Sequence, residues 1–385
     1  MKKVILTSIL LSFLCGKIFS QTIPTDSLYL GQKLPGDTPK AFNLSVSSKF
    51  FAAERIVISN DGSEIYYSEL KNYYPVNTPR IRNYRYSGGQ WTGPFELFDG
   101  FMAPALSVTG DTMYFENGNS ETFYSVKKGQ NWSEPKRMLT GLDLAHYLQV
   151  TGKGNYYVSS RPKNTIGVSD WCKLEMNGAD TAAIGLDMPL NTAWDNLDFF
   201  VARDEGYMIV ATPFGLAVSY PKVNGGWTNP RGLDTKINFG LGMWGPFVTP
   251  DNKYLFYSTG TKQDYSDVSV YWVRIDGVID SLKHTNIPPY LKNKIKSQSG
   301  SVGNPFTFTI PYDTFFDEDG NAAFTYSATL INGDPLPSWL SFDSLTKNFS
   351  GTPSEAGELK ILVTARDAGQ ASGVGAFRLS ITTKP

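Results

Sequence analysis

An all-β fold is expected, a β-propeller followed by a smaller β-sandwich. Three observations predict it. Short β-branched and aromatic runs alternate with Gly, Asp and Asn turns between residues 56 and 258. The turns recur at roughly one propeller blade's length. Near residue 285 the composition shifts, and a second series of short strands begins. Helical periodicity is nearly absent, in agreement with all three.

Composition narrows the function classes. Of 385 residues, 41% are hydrophobic and 14% aromatic, enough for a large core. Lys plus Arg number 35 against 36 acids, a net charge of -1, so no electrostatic footprint for nucleic acid or an anionic membrane is visible. Two Cys and two His nearly exclude a Cys/His zinc site, which takes four such ligands.

The first element is an address. Lys2 and Lys3 precede an apolar run, Val4 to Leu14, too short to span a bilayer. Ile18-Phe19-Ser20 before Gln21 is a cleavage site, so residues 1–20 read as a signal peptide. A lipoprotein reading would use Cys15, but bulky Leu14 stands where a small residue is wanted. No other stretch reaches the eighteen apolar residues of a membrane span. The mature chain is expected to be exported, with Cys172 as its single thiol, a small buried apolar residue rather than a nucleophile. His146 and His284 lie in no recognisable catalytic frame.

The propeller is assigned to residues 21–285. Hairpin turns centre on Asp61, Gly110, Lys153, Glu205 and Asp251, at spacings of 49, 43, 52 and 46 residues. Each leads into an aromatic strand, such as Tyr66-Tyr67-Ser68 or Phe256-Tyr257-Ser258. Residues 27–285 hold about 5.5 such periods, and six blades are expected, the sixth completed by joining segment 27–50 to the strand at 268–280. A second phrase repeats in phase: Trp91-Thr92-Gly93-Pro94, Trp132-Ser133-Glu134-Pro135 and Trp227-Thr228-Asn229-Pro230. Repetition in phase favours packing between blades over sugar stacking, because a ligand needs one site rather than three. The hairpins followed by Tyr-Tyr-Ser or Phe-Tyr-Ser resemble TolB-type, WD-repeat-like propeller repeats. The opening Tyr29 to Gly36 and closing Val270-Tyr271-Trp272-Val273 resemble secreted propellers of Bacteroidetes-type bacteria.

Catalytic signals are weak. No nucleophile elbow, phosphate loop or His-Glu-x-x-His helix occurs. A sialidase-like or other glycoside-acting hydrolase would need converging arginines and paired acids. Arg55, Arg82, Arg137, Arg161, Arg203 and Arg231 are available, but the Ser-x-Asp-x-Gly-x-x-Trp boxes of sialidases are missing. Asp195 and Asp198, after Trp194, either face the central channel or are solvated loop acids.

Residues 286–303 read as a Pro-, Lys- and Ser-containing linker, and 304–385 as an immunoglobulin-like sandwich of about seven strands. Three phrases are more specific than the pattern. They are Phe316-Asp317-Glu318-Asp319-Gly320-Asn321, then Leu336 to Asp343 leading to Gly351-Thr352-Pro353, then Val363-Thr364-Ala365-Arg366-Asp367. Together these resemble the dystroglycan-type cadherin-like domain. Trp339 is expected in its core. The resemblance implies calcium, and alternate oxygens at Asp317, Asp319 and Asn321 allow it, with Asp367 and Asp313 as further ligands. Asn321 replaces the usual acid, which lowers charge and affinity. The competing reading is an Asp-Gly turn capped by its own side chains.

The expected function is a non-catalytic binding or scaffold protein of the bacterial envelope, recognising an envelope protein or a glycan. The alternative is a glycoside-acting hydrolase with the sandwich as accessory. Three arginines and paired acids converging in the channel would favour it.

Overall fold

A computed structural model describes residues 23–71, 78–177, 180–223, 225–318 and 323–383. Residues 1–20, read above as a signal peptide, lie outside them. Five antiparallel sheets form the larger domain, four of four strands and one of five. Blade 1 comprises Phe51–Ile58, Glu64–Leu70, Arg80–Ser87 and Gln90–Asp99. Blade 2 comprises Phe101–Leu106, Thr112–Asn117, Thr122–Lys128 and Lys136–Arg137, with Asn131–Trp132 also paired to its third strand. Blade 3 comprises His146–Val150, Tyr156–Ser160, Asp170–Asn177 and Asp180–Gly185. Blade 4 comprises Phe199–Val201, Met208–Thr212, Gly215–Ser219 and Arg231–Gly232. Blade 5 comprises Gly242–Val248, Tyr254–Gly260 and Ser269–Arg274.

The predicted hairpin turns are the five that join the first and second strand of each blade. The first strand of each blade contacts that of the next, and blade 5 returns to blade 1, so the ring closes. The expected six blades are therefore five among the described residues. The N-terminal segment founds no blade. It supplies only Lys40–Ala41, paired antiparallel to Tyr271 and Trp272 as the outer strand of blade 5. A strand from the N-terminus thus fastens the last blade, and Phe42 and Tyr29 pack beside Trp272 with ring centroids 5.2 and 5.4 Å away.

Aromatic contacts fill the joints. Trp132 of blade 2 meets Tyr66 of blade 1 edge-on at 6.0 Å, and Phe200 of blade 4 meets Phe247 of blade 5 at 6.1 Å. Trp227 is buried, and Trp91 donates its indole N–H to the Ser27 carbonyl at 2.7 Å. Of the repeated Trp residues, Trp132 thus bridges two blades, whereas Trp91 fastens the N-terminal segment to blade 1. Such aromatic pairs contribute about 1 kcal/mol each beyond burial.

A short helix, Asp276–Lys283, leads to the second domain. One sheet of this sandwich orders Gln298–Ser301, Ser372–Thr382, Gly357–Arg366 and Thr325–Leu330. The other orders Phe306–Thr309, Asn348–Gly351 and Leu340–Asp343. Segment 286–303, expected as a linker, carries two strands of this domain: Tyr290–Leu291 pairs with Phe315–Phe316, and Gln298–Ser301 runs parallel to Leu379–Thr382. Polar Gln-Ser-Gly-Ser hides that strand from composition. Phe349, fully buried, centres the core with Ile361, Val363 and Phe377. Trp339, expected there, is only half-buried on its flank. Gly351 explains the Gly-Thr-Pro phrase, since a Cβ there would stand 1.8 Å from the Trp339 carbonyl oxygen.

A candidate binding cleft and the charged axis of the ring

Two places concentrate polar chemistry, and they differ in what their groups are free to do. The first is the propeller axis. Four of the five inner strands carry a bulge, between Ala53 and Val57, Met102 and Ala105, His146 and Gln149, and Trp244 and Phe247. Glu54, Ala103, Tyr147 and Gly245 each sit there at positive φ, between 54° and 64°. The bulge turns each strand's polar groups toward the axis. Second strands latch the next blade at these points. Ser68 Oγ accepts the Ala103 N–H at 2.9 Å, Glu116 Oε2 accepts that of Tyr147 at 3.1 Å, and Ser258 Oγ donates to the Glu54 carbonyl at 3.0 Å.

These latches gather a buried charge cluster. His146 Nε2 is 2.9 Å from Asp198 Oδ1, and its Nδ1 is 2.9 Å from Glu116 Oε1. Burial disfavours the imidazolium, but Glu116 and Asp198 overcome it and push the His146 pKa up to about 10. The Tyr147 hydroxyl donates to Glu54 Oε2. Burial chiefly, with the Asp198 charge, pushes the Glu54 carboxyl up to about 7. Arg55 stacks on the Tyr147 ring at 4.2 Å. Its guanidinium donates to the carbonyls of Leu148, Tyr147 and Phe199, at 3.3, 3.3 and 2.9 Å. The acids are thus committed to His146 and Tyr147, and Arg55 to backbone carbonyls, and together they pin blades 1 to 4.

Of the two flagged acids, Asp198 reaches this axis, whereas Asp195 is exposed and accepts the Ser169 hydroxyl at 2.5 Å. No three of the arginines converge: Arg55 and Arg203 line one small cavity at the axis, and the other four lie apart. Arg82 pairs with Glu69 at 3.2 Å within blade 1, Arg137 with Glu121 at 2.5 Å, and Arg161 with Asp143 at 3.6 Å. Arg231 donates to the Leu282 carbonyl. Cys172 is fully buried among Tyr114, Leu148 and Val158, and burial pushes its thiol up to about 12, outside nucleophilic range. His284 caps the short helix.

The second place is open. A cleft of about 700 Å³ lies where blades 3 and 4 meet the sandwich. Trp194 and exposed Phe214 stand edge-to-face at 6.5 Å on the propeller wall. Tyr290, Val374 and Ala376 line it from the sandwich, together with Lys294 and Arg378. The joint beside it is built. Asn229 Nδ2 donates to the carbonyls of Pro288 and Pro289 at 2.8 and 3.0 Å, Lys222 pairs with Glu318 at 3.0 Å, and Lys294 donates to the Ile166 carbonyl. A volume of this size, apolar with a few polar groups, suits a small-molecule or oligomer ligand.

The calcium candidates divide. Asp317 and Asp367 are buried at the sandwich end that meets the joint. Asp367 Oδ2 accepts Asn286 Nδ2 at 2.9 Å, and Oδ1 accepts the Ala371 N–H at 2.9 Å. Asp313 is exposed, with Oδ2 3.0 Å from Asn293 Nδ2. Asp319 and Asn321 lie outside the described residues. Among the described residues no three His, Cys, Asp or Glu side chains come together as a metal cage.

Residues 288–382 match the family described as "Putative Ig domain". Among solved structures, the chain is similar to the extracellular domain of a hybrid two-component system from Bacteroides thetaiotaomicron, at 10% identity and TM-score 0.37, over 90% of this chain and 46% of that one. It is similar to an oligogalacturonate lyase from Vibrio parahaemolyticus, at 13% identity and TM-score 0.33, over 59% and 67% of the two chains. A structure described as an alpha-galactosidase from Bacteroides fragilis gives 20% identity and TM-score 0.20, over 26% of this chain and 18% of that one. The chain thus spans less than a fifth of that last protein and under half of the first. No helix among the described residues is long and apolar enough to cross a membrane.

Proposed function

We propose that the chain is an exported, non-catalytic binding protein, with the cleft between ring and sandwich as its recognition site. The observation that carries this is the cleft itself, a cavity of about 700 Å³ walled by both domains and edged by Trp194 and Phe214. Aromatic faces beside open polar groups suit the alternating CH and hydroxyl faces of sugar rings, so an envelope glycan is the favoured ligand. The axis supports binding over hydrolysis, because its acids are engaged by His146, Tyr147 and neighbouring backbone rather than turned to solvent. The TolB-type reading of the ring belongs with this proposal.

Calcium enters here as a structural ion. Asp317 and Asp367 are buried carboxylates at the joint, and such groups call for donors or a cation. With Asp319 and Asn321 they would supply oxygens to a hard ion that stiffens this end of the sandwich. Asp313, set apart by Asn293, is the weakest member.

The test of the binding reading is an array of soluble envelope oligosaccharides probed with the full chain and with Trp194→Ala and Phe214→Ala. Expected is a restricted set of ligands whose affinity falls at least about tenfold in either variant, the scale of one lost stacking contact. Equal binding by all three proteins, or none to any glycan, would overturn the glycan reading of the cleft.

A further inference from the structure

The channel mouth is a different cavity, on the ring alone. It holds about 180 Å³ and is lined from all five blades. That is room for about six waters at liquid density, so any ligand is small. Two of its walls are guanidiniums. Arg55 forms the floor, only 2% exposed, and its Nε has no hydrogen-bond partner although the terminal nitrogens are used. Arg203 stands at the rim, half-buried, and donates to Asn60 Oδ1. No carboxylate lies within ion-pair distance of either guanidinium among the described residues, although Glu54, Glu116 and Asp198 surround Arg55 at longer range. Burial alone lowers the Arg203 pKa.

Asn252 completes the rim. Its Oδ1 accepts the Tyr207 hydroxyl at 3.0 Å, which leaves the amide nitrogen as a donor. One acid opposes the charge. Asp204 lines the rim, exposed, with Oδ1 held by the Gly206 N–H at 2.9 Å. The acids around Arg55 are engaged by His146 and Tyr147, so neither guanidinium has a direct ion pair, and an oxyanion that accepts from both would supply one.

We propose that the mouth of the central channel binds a small oxyanion, a carboxylate or phosphate group, between Arg55 and Arg203, with Asn252 as a further donor. The site is independent of the cleft and survives if the cleft binds nothing.

Thermal melting and calorimetry of the full chain test it, with inorganic phosphate, acetate and citrate as probes and potassium chloride at matched ionic strength as control. Saturable stabilisation is expected for phosphate, for a carboxylate, or for both, and the comparison identifies the preferred oxyanion. Arg203→Gln should weaken binding at least about tenfold, and Arg203→Lys should recover part of it, because a point charge lacks the planar fork. Trp194→Ala should leave it unchanged. Either of two results overturns the proposal: no effect beyond the chloride control up to roughly 50 mM, past the weak end of specific affinities, or equal binding by Arg203→Gln.

Discussion

His146 lies between two carboxylates in the middle of the ring, and this placement gives stability a definite pH dependence. Its native pKa of about 10 is above the ordinary 6.5, so the folded chain holds the proton more tightly. That contribution is complete below the ordinary value and is lost as pH rises toward about 10. Glu54 acts with the same sign. Its pKa of about 7 exceeds 4.5, so stability declines between those values, where the unfolded chain gives up a proton that the folded chain keeps. The urea midpoint should therefore fall steadily from about pH 5 to pH 10, and His146→Gln should flatten the alkaline half; a level wild-type profile would refute the buried imidazolium. His146→Ala strands Glu116 and Asp198 and should cost about 3 kcal/mol in the same measurement. Little of this cluster was legible beforehand. Asp198 could be flagged as an acid near a strand start, but partners from other blades are dozens of residues away, and an Arg or Glu in a strand looks like any surface charge.

The blade is the element whose pattern was easiest to read, because its first hairpin carries both turn residues and an aromatic run. The five turn positions were correct for that reason. The bulges were invisible, since positive φ falls on Glu54, Ala103 and Tyr147, residues with no special preference for it. The Ser ending Tyr66-Tyr67-Ser68 and Phe256-Tyr257-Ser258 acquires a meaning only in the ring, as the latch to the neighbouring blade. Ser68→Ala and Ser258→Ala should each cost about 1–2 kcal/mol, as buried polar partners are orphaned, and their sum should be additive by chemical denaturation. Gly245 is a stricter position. A Cβ there would stand 2.6 Å from the Glu54 carbonyl carbon, so Gly245→Ala should open the seam between blades 5 and 1. Loss well above the Ser variants is expected, and a neutral result would mean that the two bulges are not in contact.

At the scale of the whole molecule, the misread features are those made by chain ends meeting distant partners. The count of six took the joining of segment 27–50 to the strand at 268–280 as an additional blade; that pairing forms, Lys40–Ala41 against Tyr271 and Trp272, but it completes blade 5. The linker looked like spacer because its strands are short and polar, yet they pair within the sandwich and its Pro carbonyls are held by Asn229 of the ring. The two domains are thus joined through a fixed contact, and the acidic turn after Phe316 stands at it, since Glu318 pairs with Lys222. An ion there would stiffen sandwich and joint together. Calcium added to the full chain should raise the melting temperature of the sandwich transition, with a magnitude set by the ratio of ion concentration to Kd. Asp319→Asn should abolish the shift, and Asp313→Asn should leave most of it. Magnesium should do little, because it demands a tighter octahedral set. If calcium leaves the melt unchanged at millimolar concentration, Asp317 and Asp367 are satisfied by protein donors alone, and the joint owes its rigidity to Asn229, Lys222 and Asn286. Lys222→Ala with Asn229→Ala would then be the variant that lets the cleft gape, seen as a larger radius of gyration in solution scattering and weaker binding to any cleft ligand.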